Sequence, residues 1–279
     1  MPMLTRMTFF SPPFAAVLAA ALIGLPGAGA ADIVTPRDAV EARLLPGWRQ
    51  ADGTHMAALS LQLAPGWKTY WRAPGDAGIP PRFDWDGSEN LDRVDPHWPR
   101  PEIFVVSGMR SIGYSDEVVL PLRITPHAGA DPITISARME IGVCEDICMP
   151  VDFSVRAVLP AGGAPDPRIT AALATEPETA AAAGVGRVTC RLAPAGDGME
   201  LTARMAVPSL GAGTPAVVFE LPDPDVWIGE ADVRREDGAL TATAEIIDYG
   251  GALMLDRSAL RITLLGSERA VDIRGCDGG

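Results

Sequence analysis

The stretch "ITISARMEIGVCEDICMPVDFSVRAVL", residues 133–159, decides the fold. Ile133, Ile135, Ala137, Met139, Ile141 and Val143 fall on one side of an extended chain, and Thr134, Ser136, Arg138 and Glu140 on the other. That is the period-2 pattern of a half-buried strand. Val151, Phe153 and Val155 alternate in the same way with Asp152, Ser154 and Arg156. Two such runs predict an antiparallel hairpin, with strands over 133–143 and 151–159 and the thiols of Cys144 and Cys148 in its loop.

The same texture extends in both directions. Upstream, "ALSLQLAPGW" (58–67) alternates through Leu59, Leu61 and Leu63 until Pro65-Gly66 breaks it, and "EVVLPLRI" (117–124) reads as a strand whose Pro121 predicts a sheet edge or a bulge. Downstream, "PAGGAPDPRITAALATEPETAAAAGVG" (160–186) has too few large apolar residues for a core and reads as a linker with one or two helical turns. Strands resume in "MELTARMAV" (199–207), "PAVVFEL" (215–221), "ALTATAEII" (239–247), "LRITLL" (260–265) and "AVDIRG" (270–275). Short strands separated by Gly, Pro and Asp favour antiparallel sandwiches over βαβ units. The expectation is an all-β chain of two β-sandwich domains, 31–160 and 188–279, joined by a linker over 161–187. Trp67, Trp71, Trp85 and Trp98 are expected to pack the first core.

At the N-terminus, Arg6 precedes the apolar run "FAAVLAAALIGL" (14–25), and Ala28-Gly29-Ala30 fits a small-x-small cleavage site. This predicts a secretory signal peptide over 1–30 and a mature chain starting near Ala31 or Asp32, outside the cytoplasm. The run is shorter than the ~20 apolar residues a membrane span needs. The formal charge of −13 becomes one unit more negative without Arg6. An acidic chain of this kind repels nucleic acid and anionic membranes.

No HExxH, GxxxxGK[ST] or GxSxG motif is present. His55, His97 and His127 fall in no ligand spacing and are expected at the surface or in turns, and Asp84 and Asp86 in a solvated turn. The cysteines remain. A disulfide closing "CEDIC" removes little chain entropy, worth roughly 2 kcal/mol, whereas joining Cys190 to Cys276 is worth roughly 4.5 kcal/mol. The latter is expected to be a structural disulfide tying the ends of the second domain. In an extended strand Cys144 and Cys148 would have Cα atoms about 13 Å apart, beyond the ~7 Å limit for a bridge, so the chain must turn between them. A weakly stabilising pair at an exposed hairpin tip is the kind that exchanges. Three readings stay open: a redox-active dithiol, a structural clip, and a Cu(I) site using Cys144, Cys148 and Met149. Glu145 and Asp146 lie between the thiols with no Lys, Arg or His in the loop, which predicts raised thiol pKa values.

Four segments, "GWKTYWRAPGDAGIPPRFDW" (66–85), "WPRPEIF" (98–104), "GYSDEVVLPLRI" (113–124) and "CEDICMP" (144–150), together resemble the N-terminal periplasmic domain of the DsbD thiol:disulfide interchange proteins and of their ScsB suppressor-of-copper-sensitivity relatives. The resemblance implies an immunoglobulin-like fold without a cofactor, expected as a monomer. It implies that the cysteine pair takes electrons from a membrane-embedded donor of the DsbD/CcdA type and passes them to periplasmic thioredoxin-fold or cytochrome-maturation proteins. It further implies that Cys148 forms the mixed disulfide, that Cys144 resolves it, and that an aromatic cap, expected at Phe104, covers the pair. Tyr70, Glu145 and Asp146 are expected to line the site. Because those families continue into a transmembrane electron-transfer domain, the donor here is expected to be a separate protein.

Overall fold

The computed structural model describes residues 36–279 except 77, 107, 108, 129, 130, 197, 237 and 251–254. The signal-peptide reading and the start near Ala31 lie outside the described residues. The all-β expectation holds. One helical turn, α1 (Pro36–Ala39), leads into β1 (Val40–Arg49), β2 (His55–Leu63), β3 (Lys68–Tyr70), β4 (Arg82–Asp84) and β5 (Arg93–Pro96). Then follow β6 (Glu102–Val106), β7 (Met109–Ser115), β8 (Glu117–Thr125), β9 (Ile133–Cys144) and β10 (Cys148–Leu159). A sheet ordered β1-β2-β8-β5 packs on one ordered β10-β9-β3-β7-β6, with β4 also on β9. The inward set of β9 (Ile133, Ile135, Ala137, Met139, Ile141 and Val143) is buried against Leu59, Leu61, Trp71, Ile112, Leu120 and Leu122. Each fully buried Leu or Ile contributes about 1.5–3 kcal/mol over an exposed one.

Two local expectations are corrected. Pro121 is not on an edge strand, because β8 runs between β2 and β5. It sits one rung beyond the end of β5, where Pro96 pairs with Leu122, and its carbonyl accepts the His97 N–H at 2.8 Å. His55 is not at the surface but fully buried at the start of β2, with Nε2 2.6 Å from the Pro46 carbonyl. His97 is half-buried against Glu176, with Nδ1 2.7 Å from its carboxylate, and His127 is exposed.

The second half contains α2 (Pro167–Leu173), β11 (Glu178–Thr179), β12 (Val188–Ala195), β13 (Gly198–Met205), β14 (Ala216–Glu220) and β15 (Val226–Ile228). It continues with β16 (Asp232–Glu236), β17 (Ala239–Asp248), β18 (Arg261–Leu265), β19 (Ala270–Arg274) and β20 (Asp277–Gly278). Sheets ordered β11-β19-β18-β14 and β15-β17-β13-β12-β20, with β16 on β17, enclose Leu201, Leu240, Ile246, Ile262 and Leu264. Pairing is antiparallel except for two short parallel contacts, β11 on β19 and β12 on β20. In the low-complexity segment, Asp166 caps α2 by accepting the Arg168 N–H at 2.8 Å, and Pro167 occupies the first turn, where its missing N–H costs nothing. Ile169 anchors the helix against Leu45, Met56 and Ala58 of the first sandwich, while β11 adds to a sheet of the second. No helix among the described residues is long and apolar enough to cross a membrane.

The described residues lie in one compact unit, and a buried ion pair crosses between the two sandwiches. Arg72, just after β3, lies 3.8 Å from the Trp71 ring and donates to both carboxylate oxygens of Glu220 on β14, at 2.9 and 3.0 Å, and to Thr263 at 3.1 Å. The two side chains are 11% and 18% exposed. Burial pulls the Arg72 pKa down, and the Glu220 carboxylate opposes that shift. Arg110 adds a second crossing contact to Glu230 at 3.0 Å.

Removing one partner strands a buried charge. Arg72→Ala or Glu220→Ala is expected to cost about 3–5 kcal/mol in denaturant melts, and the apolar double replacement Arg72→Met with Glu220→Leu clearly less. If the double replacement lost as much as the singles added together, the pair would not be acting as a unit. Burial also lowers the His55 pKa below the ordinary imidazole value. A depressed folded-state pKa means that the unfolded chain binds the proton more tightly. The His55 contribution is therefore present above about pH 6.5 and is lost as pH falls below it. The urea midpoint should drop between pH 7 and pH 5, and drop less in His55→Phe.

Candidate functional site

The ladder between β9 and β10 runs without a shift from Ile133↔Leu159 to Cys144↔Cys148. The two cysteines thus close the strands themselves, directly opposite each other, with Glu145, Asp146 and Ile147 as the turn. Their Cα atoms are 4.1 Å apart and the thiols are joined as a disulfide. Cys148 is exposed and Cys144 half-buried, and Ile147 beside them is 74% exposed. The other pair, Cys190 on β12 and Cys276 after β19, is also bridged, with Cα atoms 5.8 Å apart, inside the second sandwich.

Cross-strand register shows what shares the cysteines' face, because residues opposite one another, and residues two apart along a strand, project to the same side. One rung is Cys148, Cys144, Lys68 and Ser115. The next contains Pro150 opposite Gly142 and Tyr70 opposite Gly113. The short β3 is tied to β9 by the buried Thr69 hydroxyl, which donates to the Gly142 carbonyl at 2.8 Å. From this mount the Tyr70 hydroxyl donates to Cys148 Sγ at 3.0 Å. Burial pushes that hydroxyl above the ordinary phenol range, so it is protonated and a donor at neutral pH.

Two glycines make room for the ring. A Cβ on Gly142 would lie 2.6 Å from Tyr70 Cδ2 and from Ile79 Cβ, and one on Gly78 would lie 2.2 Å from Pro74 and 3.0 Å from Tyr70 Cδ1. Tyr70 is therefore clamped between β9 and Pro74, Gly78 and Ile79, 6% exposed, with its hydroxyl end at the sulfur.

Phe104 on β6 is half-buried and separated from β9 by β3 and β7; it meets Lys68, whose Nζ is 5.1 Å from the ring centroid, rather than the cysteines directly. Glu145 and Asp146 are exposed, and the Glu145 carboxylate lies over Gly66, 3.1 Å from where a Cβ would stand. The electrostatic expectation changes accordingly. The loop itself holds no cation, but β3 brings Lys68 opposite Cys144. Met149 does not join the sulfurs, because it lies on the other face of β10 and packs against the core. The three soft ligands of a Cu(I) site therefore do not share a face. Lys68, Gly78, Ile79 and Gly142 escaped the sequence reading. Two signals were there: Lys68 is the single lysine among 23 basic residues, and Gly142 interrupts an otherwise strong strand.

The family model for the N-terminal domain of the thiol:disulfide interchange protein DsbD matches residues 31–160. No curated protein matches the chain. Among solved structures, the N-terminal periplasmic domain of ScsB from Proteus mirabilis is similar in fold, with 24% identity and a TM-score of 0.67 over 88% of this chain and 97% of that one. The Neisseria meningitidis DsbD N-terminal domain in its reduced form aligns with 45% of this chain and 90% of its own, at 16% identity and a TM-score of 0.30. Residues 31–160, which carry the bridged cysteines, Tyr70, Lys68 and Phe104, belong to the N-terminal domain family of the thiol:disulfide interchange protein DsbD.

Proposed function

We propose that this protein is a periplasmic thiol-disulfide carrier that takes electrons from a membrane-embedded reductase and delivers them to thioredoxin-fold or cytochrome-maturation proteins. Its parts are a leader over 1–30, a redox domain over 31–160, a connecting segment over 161–187 and a second sandwich over 188–279. The observation that carries the reading is a bridged cysteine pair at an exposed hairpin tip, with a protonated hydroxyl 3.0 Å from the more exposed sulfur.

In the reduced state the Cys148 thiolate attacks a sulfur of the partner's disulfide. The partner's S–S bond breaks and a mixed disulfide to Cys148 forms. Cys144 then attacks Cys148 Sγ as a thiolate, the partner leaves as a dithiol once protonated, and the 144–148 disulfide closes. Two electrons pass to the partner per cycle. The Tyr70 hydroxyl favours the Cys148 thiolate because hydrogen bonding to a charged form stabilises it. Phe104, which shares the cysteines' face of the sheet and meets the Lys68 ammonium, is the residue assigned as the aromatic cap. A small ring that stabilises the fold only weakly suits a bond that must open and close repeatedly.

Replacing Cys144 with Ser should accumulate mixed disulfides with thioredoxin-fold partners, and replacing Cys148 with Ser should abolish them. Unchanged partner capture in both variants would remove the basis for the carrier. The 144–148 couple should equilibrate with glutathione, and a potential below about −300 mV would mark it as a structural clip instead. Tyr70→Phe should raise the Cys148 pKa by about one unit, roughly 1.4 kcal/mol, in pH-dependent alkylation. Gly142→Val, which drives out the ring, should do at least as much, while Gly53→Ala on a distant turn should leave the pKa unmoved.

A further inference from the structure

We infer that Lys68 is the residue that holds Cys144 as a thiolate for the resolving step, an assignment that rests on the exchange reading of the cysteine pair. Lys68 stands directly across from Cys144 in the β3–β9 register and on the same face. Side chains so paired have Cβ atoms about 4.5–5.5 Å apart, within the reach of a four-carbon stem. The ammonium lies over this face, 5.1 Å from the centroid of the Phe104 ring on β6, and its flexible stem lets it swing between that ring and Cys144 on the other side of β3. Among the described residues, the charged and titratable groups on the rung of Cys144 and around it are Glu145 and Asp146 from the turn, Lys68 and Tyr70 from β3, Cys148 from β10, and Glu102 from β6, whose carboxylate accepts from the Ser115 hydroxyl across from Lys68. Lys68 is the cation in that set.

The composition points the same way. Against this one lysine the chain carries 22 arginines, so a lysine at this rung is a departure from the chain's own habit. Lysine offers a compact, mobile point charge, whereas the guanidinium is a planar fork suited to carboxylates, as at Arg72 and Glu220.

The chemistry needs such a charge. When Cys148 is bonded to a partner, the Cys144 thiolate attacks Cys148 Sγ, a new 144–148 bond forms, and the partner sulfur leaves with the electron pair of the broken bond. In the reverse step a partner thiolate attacks Cys148 Sγ and the electron pair goes to Cys144, which leaves as a thiolate. By microscopic reversibility an ammonium at Cys144 lowers the barrier both ways. Tyr70 thus serves the attacking sulfur and Lys68 the resolving one.

The test uses the full-length mature protein with Cys148→Ala, which leaves Cys144 as the unbridged thiol, and follows iodoacetamide alkylation against pH. Lys68→Gln should shift the Cys144 profile to higher pH and slow alkylation at pH 7 about tenfold. Lys68→Met should do the same, and Lys68→Arg should recover most of the rate. With both cysteines present, Lys68→Gln should also lengthen the life of the Cys148–glutathione mixed disulfide about tenfold. Identical pH profiles for parent, Gln and Met variants, at matched thermal stability, would overturn the assignment. Loss of rate in the Arg variant equal to that in Gln would overturn it as well, since the charge would then not be the cause. These readouts use small reagents alone, so they stand or fall separately from capture of a protein partner.

Discussion

The site depends on one ladder. Twelve consecutive pairs between β9 and β10 set Cys144 opposite Cys148, and nothing at the tip could establish that register by itself. It is imposed from below by the inward set on β9 and by Val151 and Leu159 on β10, all of which must face the core at once. A slip of one residue would turn that set outward and send the cysteines toward the interior. The hydrophobic energy of a whole sheet thus holds two sulfur atoms in place, and the turn between them is free to be short, acidic and exposed.

From the tip the register passes to β3, a strand of only three residues. It could hardly be held by its own ladder bonds. Thr69 fixes it to β9, Trp71 roots it in the core, and Arg72 reaches across to the second sandwich. A buried Arg–Glu pair is a costly element, since desolvation consumes much of its Coulomb energy. Its effect here is geometric as much as energetic, because a planar fork on a planar carboxylate allows one arrangement.

This division explains what could be seen in the sequence. Period-2 alternation is local, so the hairpin, the strands of both sandwiches and the need for a turn between Cys144 and Cys148 were legible from single segments. Pairing between strands distant in sequence is not local. The positions of Lys68 beside Cys144, Tyr70 beneath Cys148 and Arg72 against Glu220 follow from sheet order, which alternation does not encode. His55 was misplaced for a related reason: a polar residue reads as a surface one until a buried carbonyl, here that of Pro46, is known to meet it. Pro121 misled in the opposite sense, because an interior strand is locally an edge wherever its neighbour has already ended. The acidic turn suggested thiols without a nearby cation, and only the neighbouring strand revises that.

The clamp on Tyr70 has a bearing on portability. The aromatic ring is seated by what Gly142 and Gly78 lack, so the determinants of the site include two missing side chains as well as the cysteines. Grafting "CEDIC" onto the hairpin of another sandwich would transplant the disulfide without its hydroxyl donor, unless a tyrosine on the adjacent strand and both vacancies travelled with it. A search for kindred sites built on cysteine spacing alone would therefore gather many inert clips. One that also required glycine two residues before the first cysteine, facing an aromatic on a neighbouring strand, would separate them.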